Sequence, residues 1–198
     1  MGLKDRDPFE IFESWLAKAT RKEISNPNAM SLATVGRDGR PSARMVLLKD
    51  SGPGGFVFYT NLESLKSRQL AENPYAALLF HWKTLDRQVR IEGPVEQVSD
   101  AEADAYFATR ERASQIGAWA SRQSEPLEGW AELEKRVAYY TAKFHIGPVP
   151  RPDFWSGFRL RAERIEFWQE GKFRLHKRFV FTPPESGQGP WRVRQLFP

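Results

Sequence analysis

Three residues near the C-terminal end of the chain could bind an anion. Residues 165–178 read Ile-Glu-Phe-Trp-Gln-Glu-Gly-Lys-Phe-Arg-Leu-His-Lys-Arg, and their alternation and central glycine predict a β-hairpin. Arg174, His176 and Arg178 recur on the return strand at a spacing of two, so they are predicted to share one face. Guanidinium groups present forked donors that match phosphate oxygens, which favours a phosphate ligand. The alternative interpretation is a solvated basic edge strand that prevents aggregation.

A second group of basic residues lies at strand ends in the N-terminal half. The strand Arg44–Lys49 carries a cation at each end, but the odd spacing puts the two on opposite faces unless a bulge intervenes. Residues 59–61 end a later strand and lead into a short helix with Lys66 and Arg68 in its first turns. Free N–H groups at a helix start, next to cations, form an anion site. Polar strand ends flanking a buried middle are the alternative for the first pattern.

Amides and a helical stretch supply further candidate contacts. Gln88 lies in mid-strand, and Gln123 and Ser124 follow a short helical piece; such amides read the edge of a planar heterocycle or solvate a surface. Tyr106, Arg110 and Ser114 are four residues apart, so a continuous helix would bring them to one side, where they could hold a second phosphate. An ordinary helix surface is the alternative interpretation.

The composition indicates a globular protein without disulfides, thiolate metal sites or a membrane-spanning segment. The chain has 198 residues, 40% of them hydrophobic, which is enough to bury one substantial core. It has no cysteine and three histidines, so disulfides and thiolate metal sites are excluded and no metal site is expected. No apolar run reaches the length of a membrane span and the N-terminus lacks a signal-peptide core, so a cytoplasmic protein without a membrane partner is expected.

The charge balance bears on the partner. The net charge is +5, which permits nucleic acid as a ligand. Acidic and basic residues are nevertheless interspersed, without a basic run or an arginine-rich tail. This charge pattern therefore fits small phosphorylated ligands at least as well as nucleic acid.

The remaining segments predict the elements that hold these residues. Asp7, Pro8 and Glu10 are typical of a helix start, and Phe12 and Trp15 begin its apolar face. Strands are predicted at 29–35, 42–49, 55–60, 75–82 and 87–98, helices at 100–110, 114–121 and 126–144, and further strands from 155 to 196 after a Pro-rich crossover at 147–152. The predicted class is mainly β with helices (α+β), a small closed or partly closed barrel. Residues 1–198 are interpreted as one domain with a helical excursion at about 100–146.

The hairpin also resembles the signature of the pyridoxamine 5'-phosphate oxidase family. The family's Glu-aromatic-Trp turn matches Glu166-Phe167-Trp168, and its Arg-Leu-His-acid-Arg run matches 174–178, apart from Lys177 at the acidic position. The resemblance extends from Asp7 to the C-terminus. It implies a split β-barrel of the FMN-binding type and a homodimer with two FMN sites at the subunit interface.

The resemblance also implies roles for individual residues. Those that match FMN-binding positions are Arg44, Met45, Val46, Leu47, Leu48, Lys49, Tyr59, Thr60, Lys66, Gln88, Gln123, Ser124, Trp168 and Arg178. Those that match substrate-binding positions are Lys49, Tyr106, Arg110, Ser114, Arg174 and His176, with Tyr106, Arg110 and Ser114 on the substrate phosphate. Arg174 and His176 are the implied catalytic pair, which would position the substrate and assist proton removal.

The chain departs from the family pattern at several positions. Leu65 stands where family members carry an FMN-phosphate arginine, and Arg68, three residues on, is a candidate substitute. Lys177 replaces an acid and Gln195 replaces an arginine near the C-terminus, so the family's acid and arginine are interpreted as a pair lost together. The family's N-terminal Arg and Tyr, which cover the substrate, have no counterpart before Asp7.

The implied reaction is the FMN-dependent oxidation of pyridoxamine or pyridoxine 5'-phosphate to pyridoxal 5'-phosphate, with O₂ as acceptor. Two alternatives stay open: a related flavin oxidase acting on another ring system, such as a phenazine, and a non-catalytic protein that binds FMN or pyridoxal phosphate. A nucleic-acid-binding barrel is a more distant alternative.

Overall fold

The fold is built on a ten-stranded sheet whose paired strands are antiparallel. The computed structural model of the chain describes residue 4, residues 6–185 and residues 189–198. The strands are Ala29–Val35 (β1), Pro41–Leu47 (β2), Asp50–Gly52 (β3), Gly55–Asn61 (β4), Tyr75–Trp82 (β5), Arg87–Gln97 (β6), Trp155–Leu160 (β7), Arg164–Gln169 (β8), Lys177–Thr182 (β9) and Arg192–Leu196 (β10). The helices are Pro8–Lys22 (α1), Leu65–Glu72 (α2), Asp100–Ala108 (α3), Arg112–Ala120 (α4) and Trp130–Lys143 (α5).

Strand β6 curls the sheet. The main path runs β10-β9-β8-β6-β5-β1-β2, while β6 also pairs with β7, which continues to β4 and β3. Residues 87–94 of β6 pair with β5, and Val95–Gln97 pair with β7. At the changeover, a Cβ on Gly93 would lie 1.8 Å from the Arg161 carbonyl oxygen, so only glycine fits there. The curled antiparallel sheet with its five helices in the described residues confirms the predicted fold class.

The main core lies inside the curl and is covered by α1. Strand β1 alternates between buried and half-buried residues, as a strand with one core face must. Asp7 caps α1 by accepting a hydrogen bond from the Phe9 N–H (2.8 Å), which confirms the predicted helix start. Phe12 then packs edge-on against Phe56 and Phe80, with ring centroids 5.0 and 5.1 Å apart.

The helical excursion has a small core of its own. Phe107, Ile116, Val149 and Trp155 are buried together, so α3 and α4 pack against the start of β7. The predicted helices lie close to their observed positions, although α5 begins at Trp130 and the short strand β3 was not predicted. In the described part of the chain, no helix is both long and apolar enough to cross a membrane. Within the same residues, no cluster of three His, Cys, Asp or Glu side chains could hold a metal ion.

Candidate functional site

Most of the predicted site residues line one cavity. This main cavity has a volume of about 1120 Å³ and lies beside β2, β4 and the first turns of α2, with α3, α4 and the segment after α4 on its other sides. The predicted residues that line it are Arg44, Met45, Val46, Leu47, Lys49, Tyr59, Thr60, Lys66, Tyr106, Arg110, Ser114, Gln123 and Ser124. The volume exceeds that of a typical single-ligand pocket, which leaves room for two ring ligands side by side.

A break in β2 brings Arg44 and Lys49 to the same cavity. The strand ends at Leu47, and Lys49 donates its N–H to the Val57 carbonyl (2.8 Å) on the neighbouring β4. The odd spacing therefore does not separate the two cations. The same break turns Leu48 into the core, where its side chain is buried. Leu48 is the one residue of 44–49 that does not line the main cavity.

Lys66 is buried in the cavity wall. Its ammonium donates to Thr60 Oγ1 (2.9 Å), Ser64 Oγ (3.0 Å) and Gln123 Oε1 (3.1 Å), all of them uncharged. Burial, with a smaller contribution from the positive charge of Arg44, lowers the pKa of Lys66 to about 8. The Lys66 ammonium is desolvated and has no carboxylate among its hydrogen-bond acceptors, so it would bind an anion strongly.

Arg44 has a similar environment. Its guanidinium donates to the Leu32 carbonyl (3.2 Å), to Thr34 Oγ1 (2.5 Å) and to Ser42 Oγ (2.5 Å), which are again uncharged acceptors. Burial lowers the pKa of Arg44, as expected for a desolvated cation.

The segment after α4 closes over the start of α2. Ser124, in a left-handed conformation (φ 73°), accepts a hydrogen bond from the Leu65 N–H (3.2 Å). Leu65 itself is 45% exposed and lines the cavity, so an apolar side chain stands at the predicted position of an FMN-phosphate ligand. Arg68 does not replace it, because its guanidinium bonds to the Glu63 carbonyl and does not line the main cavity.

Tyr106, Arg110 and Ser114 converge without a continuous helix. The stretch is not continuously helical, since α3 ends at Ala108 and α4 begins at Arg112, close to the two separate helices predicted at 100–110 and 114–121. All three side chains nevertheless line the main cavity. Lys49 joins them, with its ammonium 5.7 Å from the centre of the Tyr106 ring.

Sequence reasoning missed Trp155, which also lines this cavity. Its ring lies parallel to that of Tyr59, with centroids 5.4 Å apart, and Tyr59 stacks on Tyr106 at 4.0 Å. Burial, followed by the nearby charge of Glu102, raises the pKa of Tyr59 to about 12, so the phenol in this stack stays neutral. The only signal in the sequence was a tryptophan at the start of a predicted strand, which is equally typical of a core residue.

A second set of predicted residues lies elsewhere in the chain. Gln88, Trp168 and Arg178 line a separate cavity of about 240 Å³, which shares no residue with the first. Sequence reasoning did not single out Glu166, whose buried carboxylate accepts hydrogen bonds there from Arg178 Nε (2.8 Å) and from Arg90 (2.6 Å). With Arg164 at 3.3 Å, these residues form the Glu166 cluster.

The predicted face of Arg174, His176 and Arg178 is wrong in detail. Residues 172–174 form a 3-10 turn and β9 begins at Lys177, so only Arg178 lies on the strand. Phe173 and Arg174 both have left-handed backbone conformations (φ 59° and 63°), and the chain cannot alternate between faces there. His176 instead packs against Trp168, with ring centroids 4.6 Å apart, and lines a third cavity of about 430 Å³ that includes Lys177.

The two sets line separate cavities within a single chain. Strands β2 and β8 are four steps apart, which amounts to about 19 Å measured along the curled sheet at about 4.8 Å per step. None of the three cavities described above contains members of both sets.

Family comparisons cover almost the whole described chain. A family model described as pyridoxamine 5'-phosphate oxidase matches residues 16–144, and a second, described as the pyridoxine 5'-phosphate oxidase C-terminal dimerisation region, matches residues 155–198. The second match contains Trp168 on β8, Arg178 on β9, and Arg174 and His176 in the turn between these strands.

Curated relatives and solved structures agree with these matches. Pyridoxine/pyridoxamine 5'-phosphate oxidases of Brucella canis and Brucella abortus are each 57% identical over 192 residues, 97% of this chain and 94% and 92% of their own lengths. The structure of PhzG from Burkholderia lata, in complex with tetrahydrophenazine-1-carboxylic acid, is 30% identical with a TM-score of 0.89, covering 97% of this chain and 93% of that one. A pyridoxamine 5'-phosphate oxidase-related, FMN-binding protein from Nostoc punctiforme is 15% identical with a TM-score of 0.77 over 98% of both chains, which shows the fold alone.

Proposed function

The chain belongs to the pyridoxamine 5'-phosphate oxidase family, and from this we propose that it oxidises pyridoxamine or pyridoxine 5'-phosphate to pyridoxal 5'-phosphate, with FMN as cofactor and O₂ as acceptor. The main support for this proposal is the set of cations in the main cavity. Arg44, Lys49, Lys66 and Arg110 line the main cavity, and within the described residues none of them has a carboxylate partner within 4.0 Å. Four cations without an ion pair, against one lining carboxylate residue (Glu111), surround a cavity with room for two ring ligands and suit two phosphorylated ligands.

The donors near α2 fit the phosphate of FMN. Arg44 and Lys66 provide two desolvated charges there, and Thr60 and Ser124 provide hydroxyl groups beside the helix N-terminus. In the bound state, FMN supplies the acceptor for the two electrons that leave the substrate. The protein's part is to hold the two rings close together and to neutralise their phosphates.

Lys49, Tyr106, Arg110 and Ser114 would hold the substrate phosphate at the other side of the cavity. Arg110 is suited to this because its Nη1 is buried without a hydrogen-bond partner among the described residues. A buried donor without an acceptor is unfavourable unless a ligand supplies one. A phosphate oxygen is such an acceptor, and the bound substrate would be fixed at a defined distance from the flavin.

A homodimer would complete each site. The chain carries the family's dimerisation region, and the outer sheet face presents exposed apolar residues that a partner would cover: Met45 (64% exposed), Leu47 (41%) and Leu79 (38%). Gln88, Trp168 and Arg178 of the second copy would then contact FMN in the first copy's cavity. Each of the two sites would contain residues of both chains.

Arg174 and His176 are the proposed catalytic pair. Oxidation at C4' takes a hydride from the carbon and a proton from the attached amine or hydroxyl group. The alcohol gives the aldehyde directly, whereas the amine gives an imine that water hydrolyses to the aldehyde and ammonia. His176 can accept a proton, and Arg174 can orient the group that loses it. Arg178 follows His176 by two residues, and its guanidinium, held in place by Glu166, would lie beside the cofactor ring.

The decisive experiment is an anaerobic absorbance spectrum of the FMN-loaded protein before and after pyridoxamine 5'-phosphate is added. We expect the flavin band to bleach, and to recover in air as pyridoxal 5'-phosphate forms. A flavin band unchanged by both the amine and the alcohol substrate would contradict the oxidase and favour a binding protein. A protein that binds no flavin would contradict the cofactor assignment.

Oxidation of a phenazine-type ring is the second candidate, because the PhzG structure is similar over nearly the whole chain. Arg110 and Lys49 favour a phosphate ester over that ligand's single carboxylate. Turnover of a tetrahydrophenazine carboxylic acid in place of pyridoxamine 5'-phosphate would reverse this preference.

A further inference from the structure

Arg110 is held by aromatic rings, not by hydrogen bonds. Its guanidinium carbon lies 4.8 Å from the centre of the Trp155 ring and 5.5 Å from that of Phe107. Across the described residues, its side chain makes no hydrogen bond and no ion pair, and Nη1 is buried. The protein therefore fixes the position of this cation while leaving its N–H donors unused.

Trp155 is rigid enough to fix Arg110. It is 6% exposed and pairs with Asn61 of β4 as the first residue of β7. Its carbonyl accepts a hydrogen bond from Arg151 (2.8 Å), and its ring packs edge-on against Phe107 with centroids 5.0 Å apart. A side chain held from both the backbone and the ring has little freedom to move.

We propose that Trp155 is a positioning residue of the substrate site, whose ring face holds Arg110 so that its donors reach the substrate phosphate. The inference rests on the proposed function, because the phosphate is that of the substrate. A ring face attracts a cation without occupying its hydrogen-bond donors, whereas a carboxylate in the same place would occupy them and cancel the charge.

The same stack supports other members of the site. The rings of Tyr106 and Trp155 are nearly parallel (8°), and Tyr59 stacks on both. Lys49 lies over Tyr106 as Arg110 lies over Trp155. Loss of the indole would therefore loosen Arg110 first and Tyr106 second.

The test compares Trp155→Leu, Trp155→Phe and Arg110→Ala in the FMN-loaded protein with pyridoxamine 5'-phosphate. A cation–ring contact in a partly desolvated site corresponds to about tenfold in affinity. We expect Trp155→Leu to raise KM by about tenfold with little change in kcat, and Trp155→Phe to restore most of the loss. In the Arg110→Ala background, Trp155→Leu should add little, because its effect acts through Arg110.

Trp119→Leu is the matched control. Trp119 belongs to the same aromatic cluster, with Tyr140 and Phe144 as neighbours, but it does not line the main cavity. We expect its KM to stay at the wild-type value. Equal effects of Trp119→Leu and Trp155→Leu, or additive effects of Trp155→Leu and Arg110→Ala, would overturn the inference and reduce Trp155 to a packing residue.

A second measurement separates this inference from the proposed function. If the wild-type protein does not oxidise pyridoxamine 5'-phosphate, the proposed function fails and KM cannot be used. Calorimetric titration with inorganic phosphate then measures the binding that Arg110→Ala abolishes. Trp155→Leu should weaken that component by about tenfold; an unchanged component, or none in the wild-type protein, would overturn the inference.

Discussion

Arginine side chains have opposite surroundings in the Glu166 cluster and in the main cavity. In the cluster, Arg90, Arg164 and Arg178 surround one buried carboxylate at 2.6–3.3 Å, and Glu92 lies 2.7 Å from Arg90. In the cavity, among the described residues, the Arg44 guanidinium donates to uncharged acceptors and the Arg110 guanidinium lies over two rings without an ion pair. The arginine charge is paired with a carboxylate in the Glu166 cluster and, among the described residues, has no ion-pair partner in the main cavity.

The arginines of the Glu166 cluster therefore have a structural role, whereas those of the main cavity are available to bind an anion. Burial of a charge is unfavourable unless another charge or several hydrogen bonds compensate for it. Glu166 provides that compensation within the chain, so Arg178 is held in a fixed position before any ligand binds. In the cavity the compensation is incomplete, and a phosphate would complete it. The following predictions test this distinction.

Removing the charge of Glu166 should have the largest effect. Glu166→Gln leaves three arginines around a neutral amide, and we expect the free energy of unfolding to fall by about 3 kcal/mol. Urea denaturation of the flavin-free protein measures it. The control is Glu96→Gln, because Glu96 and its partner Arg161 are each about half exposed, and we expect a loss below about 0.5 kcal/mol. Equal losses in the two variants would mean that Glu166 compensates for nothing.

Arg110→Ala should give the reverse result, with a large effect on binding and a small one on stability. Loss of a charged hydrogen-bond donor to phosphate should raise KM for pyridoxamine 5'-phosphate by about 30-fold. The free energy of unfolding should change by less than about 1 kcal/mol, because the lost ring contact is offset by removal of a desolvated charge. Steady-state kinetics measure KM, and urea denaturation measures the free energy of unfolding. A variant that unfolds easily but keeps its KM would reverse the assignment of the two regions.

The affinity for FMN should fall as the pH rises above about 8. The pKa of Lys66 in the flavin-free protein is about 8, so above this pH the ammonium loses the charge that attracts the phosphate. Since a bound phosphate raises that pKa, affinity should fall by up to about tenfold per pH unit until the pKa of the bound state is reached. Flavin fluorescence titrations between about pH 7 and about pH 9 measure this slope. Lys66→Arg, which stays charged, should show a flatter profile; identical profiles would exclude Lys66 as the source.

The pH dependence has the opposite sign for the stability of the flavin-free protein: FMN affinity should fall above about pH 8, whereas the Lys66 contribution to stability should rise. The folded-state pKa of Lys66 lies below its ordinary value of 10.5, so the unfolded chain binds the proton more tightly between these values. Protonation therefore destabilises the fold in that window, and the Lys66 contribution to stability should rise with pH above about 8. The difference between wild type and Lys66→Met, in urea denaturation across this window, isolates the contribution.

Leu65→Arg should strengthen FMN binding by about threefold, as expected for a partly exposed ion pair between the added charge and the phosphate. Leu65 is partly exposed at the cavity, so the new side chain has room to reach an anion. Leu65→Gln adds a polar group of similar length without the charge and serves as the control. If both variants bind FMN with wild-type affinity, the phosphate does not lie next to position 65.

Lys177→Asp and Gln195→Arg should show the smallest effect, a coupling of about 0.5 kcal/mol in the free energy of unfolding. Both residues line the third cavity, and their strands β9 and β10 are neighbours in the sheet. The double variant should therefore be more stable than the sum of the single changes predicts. Additive effects would show that the two positions do not form a pair.

The sequence by itself determined most of the strands, the α1 cap and the residue types of the site. Alternation, helical spacing and the Asp7 cap are local properties, because each depends on residues that are near one another in the chain. The resemblance to the family also rests on local motifs, of which the hairpin around Trp168 is the most specific. These features were enough to predict the split barrel, and the family matches confirm the suspected membership.

Which site residues line the same cavity was evident only from the tertiary structure. It brought Arg44 and Lys49 to one cavity through a break in β2, and Tyr106, Arg110 and Ser114 together across a break between helices. It also put Trp155 beneath Arg110, and it separated Gln88, Trp168 and Arg178 from the main cavity. Strand breaks, ring stacking and the pairing of a buried charge depend on contacts between distant segments, and local patterns in the sequence do not specify those contacts.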